Sequence, residues 1–125
     1  MSNKRYKYLF EIYKQENRKE YATISEVANS LNVYASSTSK MVVKLRKAGY
    51  VNFERYGPIM LTEKGLEIGK QLDCNHRILV AFLQAIGIKD DEIEQEVRKM
   101  ELAFNPVIIG KLEEFLSQNG YINIK

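Results

Sequence analysis

Covalent and metal chemistry find few candidates in this chain: one cysteine, Cys74, and one histidine, His76, stand two residues apart on what reads as a single helix. Helical residues two apart point to nearly opposite sides, so this pair neither shares an ion nor acts as nucleophile and base. A glycine-rich loop able to cradle a phosphate is also missing. An enzyme is therefore not expected. The richer run is Ala35-Ser36-Ser37-Thr38-Ser39-Lys40-Met41-Val42-Val43-Lys44, continuing to Lys47. The hydroxyls of Ser36, Ser37 and Ser39, with the open amides of a helix start, suit phosphate oxygens and base edges, and Lys40, Lys44 and Lys47 supply charge. Val43 sits inside this polar arc and either meets a thymine methyl in a major groove or packs on neighbouring protein. Arg55 and Tyr56, next to a Gly-Pro turn, either reach a minor groove or a phosphate or form a solvated turn.

Such an arc needs a particular set of elements to position it. Tyr6, Leu9, Phe10 and Tyr13, at helical spacing, predict a first helix over roughly residues 3 to 16. Val27, Ala28 and Leu31 after a capping Ser25 predict a short second helix. Asn32 to Ala35 reads as a tight turn. Ser36 or Ser37 then caps a third helix that turns Thr38, Met41, Val42 and Leu45 inward and stops at Gly49. Tyr50 to Phe53 and Ile59 to Leu61 read as two short strands, and a hairpin directly after a helix-turn-helix makes a wing.

Thr62 caps a long helix whose stripe, Leu66, Gly69, Leu72, His76, Leu79, Leu83 and Ile86, runs until Gly87. Asp90 and Asp91 open a fifth helix with Ile93, Val97 and Met100 inward. Asn105-Pro106 opens a sixth, with Ile108, Leu112, Phe115 and Leu116 as its apolar face. The fold class is thus mainly α: a winged helix-turn-helix domain over residues 1–72, including the start of the long helix, and a helical dimerisation domain over residues 73–125. About fifty residues cannot cover the apolar faces of that second part alone, so a homodimer is expected.

Charge follows the same division. Residues 1–73 carry 13 bases against 8 acids, net +5, and residues 74–125 carry 6 bases against 8 acids, net −2. A basic front half fits a polyanionic partner, and double-stranded DNA is the expected one. The longest apolar runs, such as Ile78 to Phe82, fall far short of the roughly 20 residues that cross a bilayer, so no membrane partner is expected. With one cysteine and no export signal in the first residues, the expected compartment is the cytoplasm.

The segments Ile24-Ser25-Glu26-Val27-Ala28, Ala35 to Val42, Lys44-Leu45, Gly49-Tyr50-Val51 and Leu61-Thr62-Glu63-Lys64-Gly65 through Ile68-Gly69 together resemble the DtxR/MntR family of metal-dependent transcriptional repressors, in its short manganese-regulator-like form. The resemblance continues through His76, Phe82-Leu83, Ile86-Gly87 and the closing helices. It implies a winged-helix DNA-binding domain, a dimerisation domain, and a transition-metal site that favours the DNA-binding form. It also implies a palindromic operator with half-sites about one turn, roughly 34 Å, apart.

The metal site is where the chain departs from the family. An acidic pair on the first helix matches Lys7 and Phe10; the linker-helix histidine matches His76; the later acidic and histidine ligands match Arg98, Glu101 and Leu102. Only His76 and Glu101 keep a donor, whereas a transition ion needs about four. No metal cofactor is expected, manganese or iron being the ions that the resemblance would supply. Lys7 or Arg98 is expected to pair with Glu101, with Arg98 to Glu94 as the bland alternative. The resulting reading is a homodimeric operator-binding regulator, a repressor, free of the family's metal requirement. The alternatives are a regulator answering to a metal, ligand or Cys74-borne signal at a rearranged site, and a protein-interaction module without DNA binding.

Overall fold

Leu9, Ile12 and Tyr8 recur at helical spacing and are fully buried, which makes α1 (Asn3–Lys19) the spine of the first part of the chain. A computed structural model describes residues 3–54, 57–103 and 105–122. It divides into two compact units, Met1–Lys70 and Gln71–Lys125.

In the first unit α1 is followed by α2 (Ile24–Leu31), α3 (Ala35–Lys47), β1 (Val51–Phe53), β2 (Ile59–Leu61) and the opening turns of α4 (Glu63–Ala85). This order is a winged helix-turn-helix. The cap of α2 is Thr23, not the expected Ser25: its hydroxyl accepts from the Glu26 amide at 3.2 Å and donates to the Glu26 carboxylate at 3.0 Å. This is a threonine–glutamate capping arrangement three residues apart. Asn32 takes the left-handed conformation (φ 56°) that turns the chain sharply into α3. Ser36 and Ser37 do not cap α3. The cap position belongs to Tyr34, whose carbonyl accepts from the Thr38 hydroxyl at 3.1 Å, leaving both serines exposed in the first turn.

β1 and β2 pair antiparallel in the register Val51–Leu61, Asn52–Met60 and Phe53–Ile59, and Ala22 adds a bridge to Ile59. The Glu16 carboxylate accepts from the Leu61 amide at 2.8 Å and ties α1 to the hairpin. Leu9, Ile12, Val27, Val42, Leu45, Val51 and Ile59 form one core. The start of α4 docks on the α3–β1 corner: Thr62 donates through its amide to the Tyr50 carbonyl (3.1 Å) and through its hydroxyl to the Gly49 carbonyl (2.6 Å). Lys64 reaches the Ala48 carbonyl at 3.0 Å and covers the Tyr50 ring. Residue 65 must be glycine for this approach, because a Cβ there would lie 2.0 Å from the Tyr50 carbonyl oxygen.

In the second unit α4 continues and is followed by α5 (Asp90–Met100) and α6 (Pro106–Gln118). Asn105 caps α6, accepting from the Val107 amide at 2.7 Å. The core holds Ile78, Leu79, Leu83, Ile93, Val97, Ile109 and Leu116. Of the expected apolar face of α6, Leu116 is buried and Leu112 packs on the core, with Ile109 beside them, whereas Ile108 and Phe115 are 51% exposed and Val107 69%. Ile86 is likewise exposed rather than in the stripe of α4. No helix among the described residues is long and apolar enough to cross a membrane.

Candidate nucleic-acid interface

Two faces of α3 have opposite characters. Thr38, Val42 and Leu45 are buried, with Met41 packed beside them, and the outer side carries Lys40, Lys44, Arg46 and Lys47 without an acid anywhere in the helix. Ser36, Ser37, Lys40, Lys44 and Lys47 are exposed, and Ser39 and Val43 are half-buried. Beside this face lies an open concavity of about 1100 Å³, walled by α3, the start of α2 and the hairpin. It brings together Ser36, Ser39 and Val43 of the residues singled out from sequence; Ser37, Lys40, Lys44 and Lys47 stand outside its lining. Arg55 and Tyr56, the expected wing-tip contacts, lie outside the described residues.

The concavity also recruits side chains that the sequence reading passed over: Arg46, Ser25, Tyr21 and Phe53. Arg46 was legible, since 36, 39, 43 and 46 follow the three- and four-residue steps of one helix face. Its guanidinium donates to the Phe53 carbonyl at 3.1 Å, fixing the hairpin to α3. Tyr21 carries no such periodic signal, being held beyond α1 with the Lys19 ammonium 5.4 Å from its ring.

The positions matching the family's metal ligands have a chemistry of their own. His76 Nδ1 is 2.5 Å from Glu101 Oε2, and its Nε2 faces Glu94 Oε1 at 3.6 Å. Glu101 is 6% exposed, and its carbonyl accepts from the amide nitrogen of buried Asn75 at 2.8 Å, while Gln71 donates to Asn75 Oδ1 at 2.8 Å. His76 and Asn75 of α4 are thus both bonded to Glu101 at the end of α5. The expected Arg98 pairs do not form, because both carboxylates turn to His76 and Arg98 stays exposed. In the first unit Lys7 is exposed; Phe10 is buried, stacked near Tyr13 at 6.4 Å with the Lys14 ammonium 4.7 Å from its ring. Neighbouring Glu11 already accepts from Gln15 at 3.0 Å and faces Lys14 at 3.4 Å. Lys7, Phe10, Arg98 and Leu102 offer no lone pair to a cation, and no group of three or more metal-ligating side chains occurs among the described residues. Cys74 is half-buried against the core of the second unit, and burial together with Glu113 raises its thiol pKa.

Comparisons with known proteins agree along almost the whole length. Residues 1–59 match the family model described as iron dependent repressor, N-terminal DNA binding domain, and residues 62–120 match iron dependent repressor, metal binding and dimerisation domain. The HTH-type transcriptional regulator MntR of Shouchella clausii (strain KSM-K16) is 38% identical over 115 residues, which span 90% of this chain and 80% of that protein. MntR of Bacillus subtilis (strain 168) is 37% identical over 90% of this chain and 81% of its own. Among solved structures, the manganese regulator SloR superposes with a TM-score of 0.80 at 28% identity, covering 99% of this chain and 57% of that one. The hypothetical protein SSo2273 from Sulfolobus solfataricus gives 0.72 at 25% identity, over 94% and 91%. The chain spans little more than half the length of SloR. With relatives this similar over nine-tenths of its residues, the chain belongs to the iron-dependent repressor, or DtxR/MntR, family of transcriptional regulators.

Proposed function

We propose that this chain is a homodimeric repressor that grips a palindromic DNA operator and holds its DNA-competent form without a resident metal ion. The observation carrying the first half is the outer face of α3, where four bases and three serines stand with no acid beside a concavity shaped by the hairpin. Exposed hydroxyls and ammonium groups on a recognition helix position the protein on phosphates, and groove-facing side chains select the sequence. Ser36, Ser37, Ser39, Lys40, Val43, Lys44 and Lys47 form this surface, and Arg55 and Tyr56 are proposed to bind DNA with them. Domain roles follow the same division, the winged part through residue 72 on DNA and the helices from residue 73 in the dimer. Val107, Ile108 and Phe115 leave α6 with an apolar face next to Phe82 that a second copy would cover.

The donor count and the His76–Glu101 bond, which joins α4 to the end of α5, support the metal-free reading. The test is fluorescence anisotropy on duplexes selected by the purified protein from a random pool. Equal affinity with manganese, with ferrous iron and with a chelator is the expected result, together with a steep fall as salt rises. A strict requirement for either ion would defeat the metal-free reading. Absence of any salt-sensitive DNA affinity would defeat the repressor reading and leave a protein-interaction module.

A further inference from the structure

We propose that Val43 is a thymine-reading residue, recognising the 5-methyl group of one thymine in each operator half-site; this rests on the operator-binding reading above. Val43 is half-buried, yet it is not one of the apolar side chains packed on the core of its unit, such as Met41, Ala48 and Phe53. It lines the open concavity instead, in one row with Ser36, Ser39 and Arg46. Within that row the chemistry is divided. The serines can serve phosphates or base edges, and the Arg46 guanidinium is turned to the Phe53 carbonyl. At the level of Val43 the wall therefore presents carbon.

Only one base suits a carbon wall in the major groove. Adenine, guanine and cytosine show nitrogen or oxygen atoms there, and a polar edge pressed against valine loses water without gaining a partner. Thymine presents a methyl group, which gains by leaving water. The occupant is a strand of duplex DNA because α3 carries Lys40, Lys44, Arg46 and Lys47 and no acid.

A deoxyuridine scan isolates the methyl group. In the duplex selected above, each thymine is replaced in turn by deoxyuridine, symmetrically in both half-sites, and affinity is measured for the wild-type protein and for Val43→Ala. Alanine at a helix position outside the core leaves the fold intact, and circular dichroism checks that it does. One symmetric position is expected to lose roughly fourfold in affinity for each methyl removed, the factor expected from burying one methylene-sized group. In the Val43→Ala protein the same replacement should change affinity by less than about 1.5-fold, since the group that read the methyl is gone. The proposal is overturned if no replacement weakens the wild type, if the loss persists undiminished in Val43→Ala, or if the selected half-site holds no thymine. Selection of no duplex at all would overturn the operator-binding reading itself, and this proposal with it.

Discussion

Replacing His76 by leucine removes the imidazole–carboxylate tie between α4 and the end of α5 while keeping an apolar body of similar bulk. Glu101, 6% exposed, would be left with a carboxylate that has lost its 2.5 Å partner. Removing one member of a fully buried charged pair costs about 3–5 kcal/mol, and one hydrogen bond to a charged group contributes about 1.5–3 kcal/mol. The His76 side chain is 27% exposed, so water repairs part of the loss and the lower figure governs. The expected cost is about 2 kcal/mol, which for a chain of this size lowers the melting temperature by roughly 6–10 °C. Thermal unfolding followed by circular dichroism measures it, at one fixed protomer concentration because association contributes to apparent stability. His76→Asn is the companion variant: its amide nitrogen stands where Nδ1 stood and should recover at least half of the lost stability. A leucine variant as stable as wild type, or an asparagine variant no better than leucine, would refute the idea that this bond replaces an ion.

Gly65→Ala should cost about 3 kcal/mol, read from urea midpoints, because its Cβ would meet the Tyr50 carbonyl oxygen at 2.0 Å and backbone cannot swing aside. Cys74, whose thiol is pushed up by burial and by Glu113, should react with iodoacetamide at neutral pH well below the rate of a free cysteine, and Cys74→Ser should leave any response to oxidants unchanged. Rapid alkylation would contradict that. Glu26 is held below the ordinary carboxylate range by Lys19 and by the Thr23 hydroxyl. A depressed folded pKa contributes stability above the unfolded value and loses it as pH falls through the folded one, so Glu26→Gln should be less stable than wild type at neutral pH and equal to it in acid. A gap that persists in acid would point to a different cause.

Helix positions were legible because each helix carries its own punctuation. Gly49 and Asn105-Pro106 close α3 and open α6 as their chemistry requires, with Gly49 at φ 86°. Caps were less legible, since Thr23 and Ser25 are chemically interchangeable and only the chain's path decides which hydroxyl meets a free amide. On α6, Leu112 and Leu116 turn inward as expected, but Ile109 joins them in place of Ile108, because the two are identical side chains 100° apart and only the packed core distinguishes them. At the candidate interface, charge and hydroxyl spacing marked α3, but Tyr21, Ser25 and Phe53 reach the concavity only through tertiary folding. The residue types at positions 7, 10, 98 and 102 could be read directly. The His76–Glu101 bond could not, because the 25-residue span between them closes only when α5 folds back on α4.

The bond between His76 and Glu101 is made from the chain's own side chains, and under the metal-free proposal that shifts where control can act. A regulator gated by an ion is released when the ion is scarce and re-armed within moments when it returns. One fastened by its own side chains is released only by proteolysis or by dilution as the cell grows, so the time for its genes to respond is set by the lifetime of the polypeptide and the rate of its synthesis.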